Sequence, residues 1–341
     1  MRGRHYDAVF HSQVLAPSLA YQATLTILLL PAESDMLTAM MRRKRVIQTW
    51  DLTKHYGNLV GVESLYFEVV EGESFGLLGV SGSGRTTILD LLLGLKHPTR
   101  GSAEVLGLDS YKQSYDIRRL VGCVLGRFSF YEGLRGGEFL DLCGRIRGAN
   151  GARRSDLVDR LKIDEGRRIK DYSRSEKQKL AWVQALMHDP DLIFVDDPST
   201  DLDGSSKEAV YQLLEEERSR GKTLVLSTDS PADVVRLCDR AAIILDGTLR
   251  KTEDIRVLSR LLGRRVKVVF REDVDLEDFI TPNMSVVSHC GREWVIAIRG
   301  EMGSLLKRLG RFSVEDITNL EGVVEEALAG MFRDHYPNPY L

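Results

Sequence analysis

The chain has 341 residues, 43% apolar and 28% charged, the balance of a globular protein with ample core and room for two domains and a tail. A net charge of −3 argues against a surface built to seek nucleic acid. The four cysteines, Cys123, Cys143, Cys238 and Cys290, lie scattered with no C-x-x-C pair; they read as reduced cytosolic thiols rather than a disulfide frame or a zinc site.

In chain order, residues 1–40 come first and carry no motif. VLAPSLAYQATLTILLLPA at 14–32 follows Arg2 and Arg4 in the manner of a weak signal sequence, but Pro17, Gln22, Thr24, Thr26 and Pro31 interrupt it. The plainest reading is a start placed too early, with Met40 or Met41 the true beginning; a disordered leader and a membrane anchor are the alternatives. From Val46 the rhythm is strand, turn, strand, loop, helix. VIQTWDL (46–52) and VESLYFEVV (62–70) read as β segments, and SFGLLG (74–79) runs into a glycine-rich loop. TTILDLLLGL (86–95) is a helix ending near Gly94, and HPTRGSAEVLG (97–107) returns to a strand. A helical stretch rich in leucine and charge follows over about 127–168, and a helix opens within 172–190. LIFV (192–195), TLVLS (223–227) and AAIIL (241–245) have the look of parallel strands buried on both faces, so the core is α/β. Past Leu261 the texture changes. VKVVF, SVVS and EWVIAI are short strands, with helices expected around 301–309 and 320–332, enough for a small α/β module. The boundaries read as 1–40 leader, 41–261 main domain and 262–341 C-terminal domain.

Chemistry concentrates at GVSGSGRTT, residues 79–87. Gly79, Gly84 and Thr86 fit the phosphate-loop pattern G-x-x-x-x-G-K-S/T at every fixed position except the lysine, which is Arg85. Glycines let the backbone N–H groups of Ser81, Gly82 and Ser83 turn inward, and the following helix presents its positive N-terminus to an anion. Further on, DLIFVDDPSTDLD (191–203) is an apolar strand that ends in Asp196 and Asp197, preceded by YSRSEKQKLAWVQALMHDP (172–190).

These motifs, in this order over about residues 46–250, resemble the ATP-binding subunit of an ABC transporter, of the drug-export type with one nucleotide-binding domain and a C-terminal extension. The resemblance implies a P-loop nucleotide-binding domain with a parallel-sheet core and a helical subdomain. It implies ATP and Mg²⁺ as cofactors. As partners it implies a second ABC subunit, as homodimer or heterodimer, and a separate multi-spanning membrane subunit, with the chain peripheral on the cytoplasmic face. By position, Tyr56 stacks on adenine, Gly79 to Thr87 cradle phosphate, and Thr86 and Asp196 hold Mg²⁺. Asp197 stands where the family keeps a glutamate base, Gly126 where a glutamine contacts metal and water, and Asp229 where a histidine touches the γ-phosphate. Ser173, Arg174, Ser175 and Glu176 occupy the signature motif that caps the partner's ATP, and Asp203 belongs to the loop crossing the dimer interface.

Five positions depart from the family pattern: Arg85, Gly126, Ser175, Asp197 and Asp229. Arg85 keeps its charge but as a wide planar fork, Asp197 holds its carboxylate one methylene back, and Gly126 cannot position water. Asp229 is an anion where the γ-phosphate needs a donor. Ser173 to Glu176 also spell a helix capping box, S-x-x-E, a purely local role for Glu176. Together these substitutions lead us to expect nucleotide binding with weak hydrolysis, by an energy-coupling subunit of an exporter or, alternatively, by a regulatory or assembly subunit without turnover. A soluble ABC ATPase outside transport ranks last, because neither a coiled-coil insertion nor a second nucleotide domain is visible. Phe128, Phe130, Tyr131 and Leu134 either meet a membrane subunit or pack within the helical subdomain.

Deleting residues 1–40 is expected to leave the melting temperature and ATP binding unchanged. A large loss of stability in a thermal melt would show that the leader packs on the core.

Overall fold

Three apolar runs dictate the centre of the molecule. In the computed structural model, which describes residues 44–126, 129–148, 151–257, 264–275, 279–281, 283–298, 302–320 and 328, these runs are parallel strands of one sheet, with SFGLL (74–78) between the last of them and the other two. Strands β1 (Arg45–Tyr56), β2 (Leu59–Leu65), β3 (Glu68–Val70), β4 (Ser74–Leu78), β5 (Arg100–Val105), β6 (Leu108–Asp109) and β7 (Gly122–Val124) come first. They are followed by β8 (Leu192–Asp196), β9 (Thr223–Thr228), β10 (Arg240–Leu245) and β11 (Thr248–Asp254). The main sheet runs in the order β11-β10-β4-β9-β8-β7, parallel except for β11, which closes one edge antiparallel. Every residue of β4, β8 and β9 is buried. This two-sided burial explains why the three runs are nearly unbroken in apolar residues instead of alternating.

The two faces of that sheet feed two separate cores, and the pleat sorts the side chains between them. Leu192 and Phe194 of β8 enter one core while Ile193 and Val195 enter the other, as a period of two requires. The first core lies under an antiparallel sheet of order β2-β1-β5-β6, with β3 also on β1, and takes in Ile88, Leu89 and Leu92 of helix α1 (Arg85–Leu92). The second takes in Trp182 and Leu180 of α5 (Arg174–Leu186), Val210 and Tyr211 of α6 (Gly204–Ser219) and Val234 of α7 (Pro231–Leu237). Helix α2 (Ser114–Leu120) precedes β7, and α3 (Gly136–Arg147) and α4 (Gly151–Leu161) add Phe139, Leu140 and Leu157 to the second core.

Strands β12 (Arg264–Phe270), β13 (Met284–Cys290), β14 (Glu293–Ile298) and β15 (Val314–Leu320) form an antiparallel sheet of order β13-β14-β12-β15. With α8 (Met302–Leu309) they enclose a core of their own, in which Phe270, Phe279, Trp294 and Phe312 pack with ring centroids 5.4–6.0 Å apart.

The structure refines the sequence-based elements at three places. VESLYFEVV is two strands because the pairing along β1 is interrupted at Tyr66 and Phe67, just after Ser64 with its left-handed φ of 49°; β2 lies against Leu52–Tyr56 of β1 and β3 against residues 45–48. The helical stretch from 127 begins only at Gly136, and residues 129–135 are not helical. Residues 314–320, rich in β-branched side chains, pair with β12 as a strand, and most of the helix expected over 320–332 lies outside the described residues.

Candidate nucleotide site

The end of β9 ties the site together. The Thr228 carbonyl accepts from the Gly79 N–H at 3.2 Å, where the glycine loop begins. One residue earlier the Ser227 carbonyl accepts from the Asp197 N–H at 2.8 Å, and the Ser227 hydroxyl donates to Asp196 Oδ1 at 2.7 Å. Because β9 lies between β4 and β8, a single strand end sets the distance between the loop and the two aspartates. Sites at the carboxyl ends of parallel strands are the general rule for such sheets.

Gly84 makes the turn into α1 with φ 103°, and a Cβ there would lie 2.4 Å from the Gly61 carbonyl oxygen. The requirement for glycine at 84 is therefore close packing against β2 as well as backbone freedom. Immediately after it, Thr86 Oγ1 donates to Asp196 Oδ2 at 3.1 Å, joining positions 110 residues apart. A hydroxyl and a carboxylate converging in this way are hard oxygen donors of the kind Mg²⁺ takes, completed by water and phosphate. Among the described residues no group of three or more His, Cys, Asp or Glu could hold a metal unaided.

Arg85 does not point into open solvent. Its side chain is 9% exposed and its Nη1 lies 3.2 Å from Asp197 Oδ1. Asp197 has a left-handed φ of 51°, a conformation that Asp and Asn reach far more readily than Glu. Burial lifts the Asp197 carboxyl above the usual range, with Arg85 opposing and the charges of Asp196 and Asp229 adding to the rise. Asp229 itself is exposed, as is Gly126, where a Cβ would meet nothing within 4 Å. Tyr56, 37% exposed at the end of β1, carries Lys54 Nζ and Lys96 Nζ at 5.4 and 4.9 Å from its ring centroid, and its hydroxyl lies 3.5 Å from Thr87 Oγ1. Ser83 is buried against the loop, whereas Ser81 and Gly82 are exposed.

At the start of α5, both halves of the capping box form. Ser173 Oγ accepts from the Glu176 N–H at 3.2 Å, and Glu176 Oε2 accepts from the Ser173 N–H at 2.7 Å. Arg167 Nη2 donates to the same Glu176 oxygen at 2.6 Å. Ser175 Oγ donates to Asp203 Oδ2 at 3.1 Å, while Asp203 caps α6 by accepting from the Ser206 N–H at 2.9 Å. That N–H, with the Ser205, Ser206 and Ser175 hydroxyls, holds the Asp203 carboxyl well below its usual range.

The ABC transporter family model matches residues 62–200. The Nod factor export ATP-binding protein I of Cupriavidus metallidurans is 30% identical over 251 residues, 70% of this chain and 81% of that one. The chain belongs to the ABC transporter ATP-binding subunits. The same-named protein of Mesorhizobium japonicum is 34% identical over 58% of this chain, a match that spans 59% of its own length. A solved ATP-binding subunit of an ABC transporter superposes with a TM-score of 0.59 at 25% identity, covering 63% of this chain and 92% of that one.

In this ABC fold the structure gathers Gly79, Thr86, Asp196 and Asp197 into one constellation, through contacts with Ser227 and Thr228, and Arg85 joins it by pairing with Asp197. Ser173, Ser175, Glu176 and Asp203 form a second constellation. Reading the sequence missed Ser227, Arg167 and the lysines over Tyr56. Ser227 sits in an unremarkable strand, and only the sheet order places it beside Asp196. A buried chain also escaped notice: Thr228 Oγ1 donates to Asp233 Oδ2 at 2.9 Å and Tyr211 OH donates to Asp233 Oδ1 at 2.5 Å, behind the loop that carries Asp229.

Glu176 supplies a pH test. Its hydrogen bond with Arg167, with the Ser173 N–H assisting, holds its carboxyl below the usual range. A depressed folded-state value stabilises the fold above the unfolded-state pKa, about 4.3 for glutamate, and that stability fades as pH falls through the folded value. Glu176→Gln is therefore expected to lower the melting temperature at neutral pH, with the gap to wild type closing in acid below about pH 4. A gap that is constant with pH would show that the charge of Glu176 contributes nothing.

Proposed function

We propose that this chain binds ATP–Mg²⁺ and couples nucleotide-driven pairing with a second ABC subunit, at a slow rate of hydrolysis, to a separate membrane-spanning subunit of an export system. The observation that carries this reading is the Thr86–Asp196 contact at the mouth of the glycine loop, which sets two oxygen donors beside a phosphate cradle. Thr86 and Asp196 would hold Mg²⁺, which supplies charge neutralisation across the phosphate oxygens. The inward N–H groups of the loop and the start of α1 bind the triphosphate, and Tyr56 offers its ring to the base. Asp197 is the candidate base. Gly126 and Asp229 leave the attacking water and the γ-phosphate without the donors that speed such a reaction.

Export as the direction of transport is supported by the names of the two relatives above. No helix among the described residues is long and apolar enough to cross a membrane. In keeping with the ABC family, we assign the membrane path to another subunit and this chain to the cytoplasmic face of that subunit. A hollow of about 430 Å³ lined by Tyr131, Glu132, Gly133, Leu134 and Leu142 is the docking point we favour for that subunit. Tyr131 is 68% exposed there, whereas Phe130 packs edge-on against Phe139 with centroids 5.3 Å apart; Phe128 lies outside the described residues. We assign residues 262–341 to a module for subunit pairing or regulation: residues 266–314 carry a core of their own, and Leu328 packs into the second core of the main domain. The Arg85–Asp197 pair also favours a second reading, a regulatory subunit that binds ATP without turnover.

Calorimetric titration with ATP–Mg²⁺ is expected to show saturable binding that loses most of its dependence on Mg²⁺ in Thr86→Val. No heat at millimolar nucleotide would refute the binding reading. Steady-state phosphate release by wild type is expected to be far below the enzyme median of about 10 s⁻¹. Restoration needs Arg85→Lys, Gly126→Gln, Ser175→Gly, Asp197→Glu and Asp229→His together, because groups acting as a unit are non-additive. A wild-type rate near that median would overturn slow hydrolysis, and a silent revertant would favour the regulatory reading.

A further inference from the structure

We propose that Arg85 and Asp197 form a latch operated by the γ-phosphate: without nucleotide Arg85 is held on Asp197, and only a triphosphate draws the guanidinium away and frees the carboxylate. The inference rests on the proposed ATP-binding reading and deepens it. Its basis is the reciprocal sizing of two neighbouring side chains. Arginine reaches roughly one bond further than lysine, and aspartate holds its carboxylate one methylene further back than glutamate. The gap left by the short acid is spanned by the long base, and the pair meets at 3.2 Å with the Arg85 side chain 9% exposed.

Three features make the contact a competitor for phosphate. Arg85 is the first residue of α1, where the loop N–H groups and the helix dipole draw an anion. Its guanidinium can engage either a carboxylate or a phosphate, but each nitrogen that faces Asp197 is lost to the phosphate. Asp197 cannot retreat, because its N–H is bound to the Ser227 carbonyl at 2.8 Å and its carbonyl accepts from the Thr200 N–H at 3.1 Å. Asp197 stands where the family keeps the base that faces the γ-phosphate, so it is the third phosphate that opens the latch, and ADP serves as the control that leaves it closed.

The test is a double-mutant cycle read by calorimetry, with the non-hydrolysable β,γ-imido analogue of ATP and with ADP, each with Mg²⁺. Asp197→Asn keeps the shape and suits the left-handed backbone at φ 51°, so it is expected to fold. It should tighten the analogue by about threefold to fivefold, the scale of a partly exposed ion pair, and leave ADP unchanged. Arg85→Lys keeps the loop's positive charge, and so its binding, but falls short of Asp197; in that background Asp197→Asn should have little effect. Equal tightening in both backgrounds would mean plain repulsion between Asp197 and the triphosphate and would overturn the latch. So would tightening of ADP by the same factor. Absence of binding by wild type would instead refute the ATP-binding reading on which the latch stands. Should melting curves show Asp197→Asn to be unfolded, Asp197→Ser takes its place.

Discussion

The carbonyls of Ser227 and Thr228 at the end of β9 are the constraint on which the site depends. One holds Asp197 at 2.8 Å and the other holds Gly79 at 3.2 Å, so the aspartate pair and the glycine loop keep a fixed separation. That separation allows the Thr86–Asp196 contact, and it also brings Arg85 within reach of Asp197. β9 can serve in this way only because it is buried along its whole length between β4 and β8. Two cores press on its opposite faces, with Val225 in one and Leu224 and Leu226 in the other.

Charge is the second organising factor. Asp196, Asp197 and Asp229 place three carboxylates near the loop, and Arg85 is the cation that pairs with one of them. Burial already raises the Asp197 carboxyl, so the neighbouring charges carry more weight than they would in water. A triphosphate brings further negative charge, and Mg²⁺ at Thr86 and Asp196 would offset part of it. In the proposed reading, the loop's N–H groups and the metal would sustain binding, and a transition state with developing charge would be served poorly.

How much was legible follows from the range of the interactions. The parallel strands were read from LIFV, TLVLS and AAIIL because two-sided burial imposes continuous apolar runs, a local signal. The capping box at Ser173–Glu176 was equally local and forms in full. The split of residues 62–70 into β2 and β3 was hidden because it depends on a left-handed Ser64 and an interruption of the pairing along β1 at Tyr66 and Phe67. Ser227, Arg167 and Asp233 were hidden for a similar reason: each matters through tertiary neighbours, and nothing in its own segment marks it. Arg85 and Asp197 were both singled out from the sequence, but as independent losses. Their contact across 112 positions shows that the two substitutions fit each other.

The second constellation bears on what a partner subunit would meet. Glu176 is turned back onto its own helix by the Ser173 N–H and is neutralised by Arg167, so it presents little uncompensated charge outward. Ser175 is occupied by Asp203, the same carboxylate that caps α6. In the proposed dimer a partner's γ-phosphate could recruit the Ser175 hydroxyl only by taking it from Asp203. Asp203 keeps its bonds to Ser205 and Ser206 in any case, so its cap survives the exchange. The group free to meet an anion at low cost is Arg174, whose side chain is 86% exposed and whose contact with Asp201 is long at 3.4 Å. A signature with serine in place of glycine thus retains a positive charge and a transferable donor. Pairing across ATP, as proposed, is compatible with this chemistry.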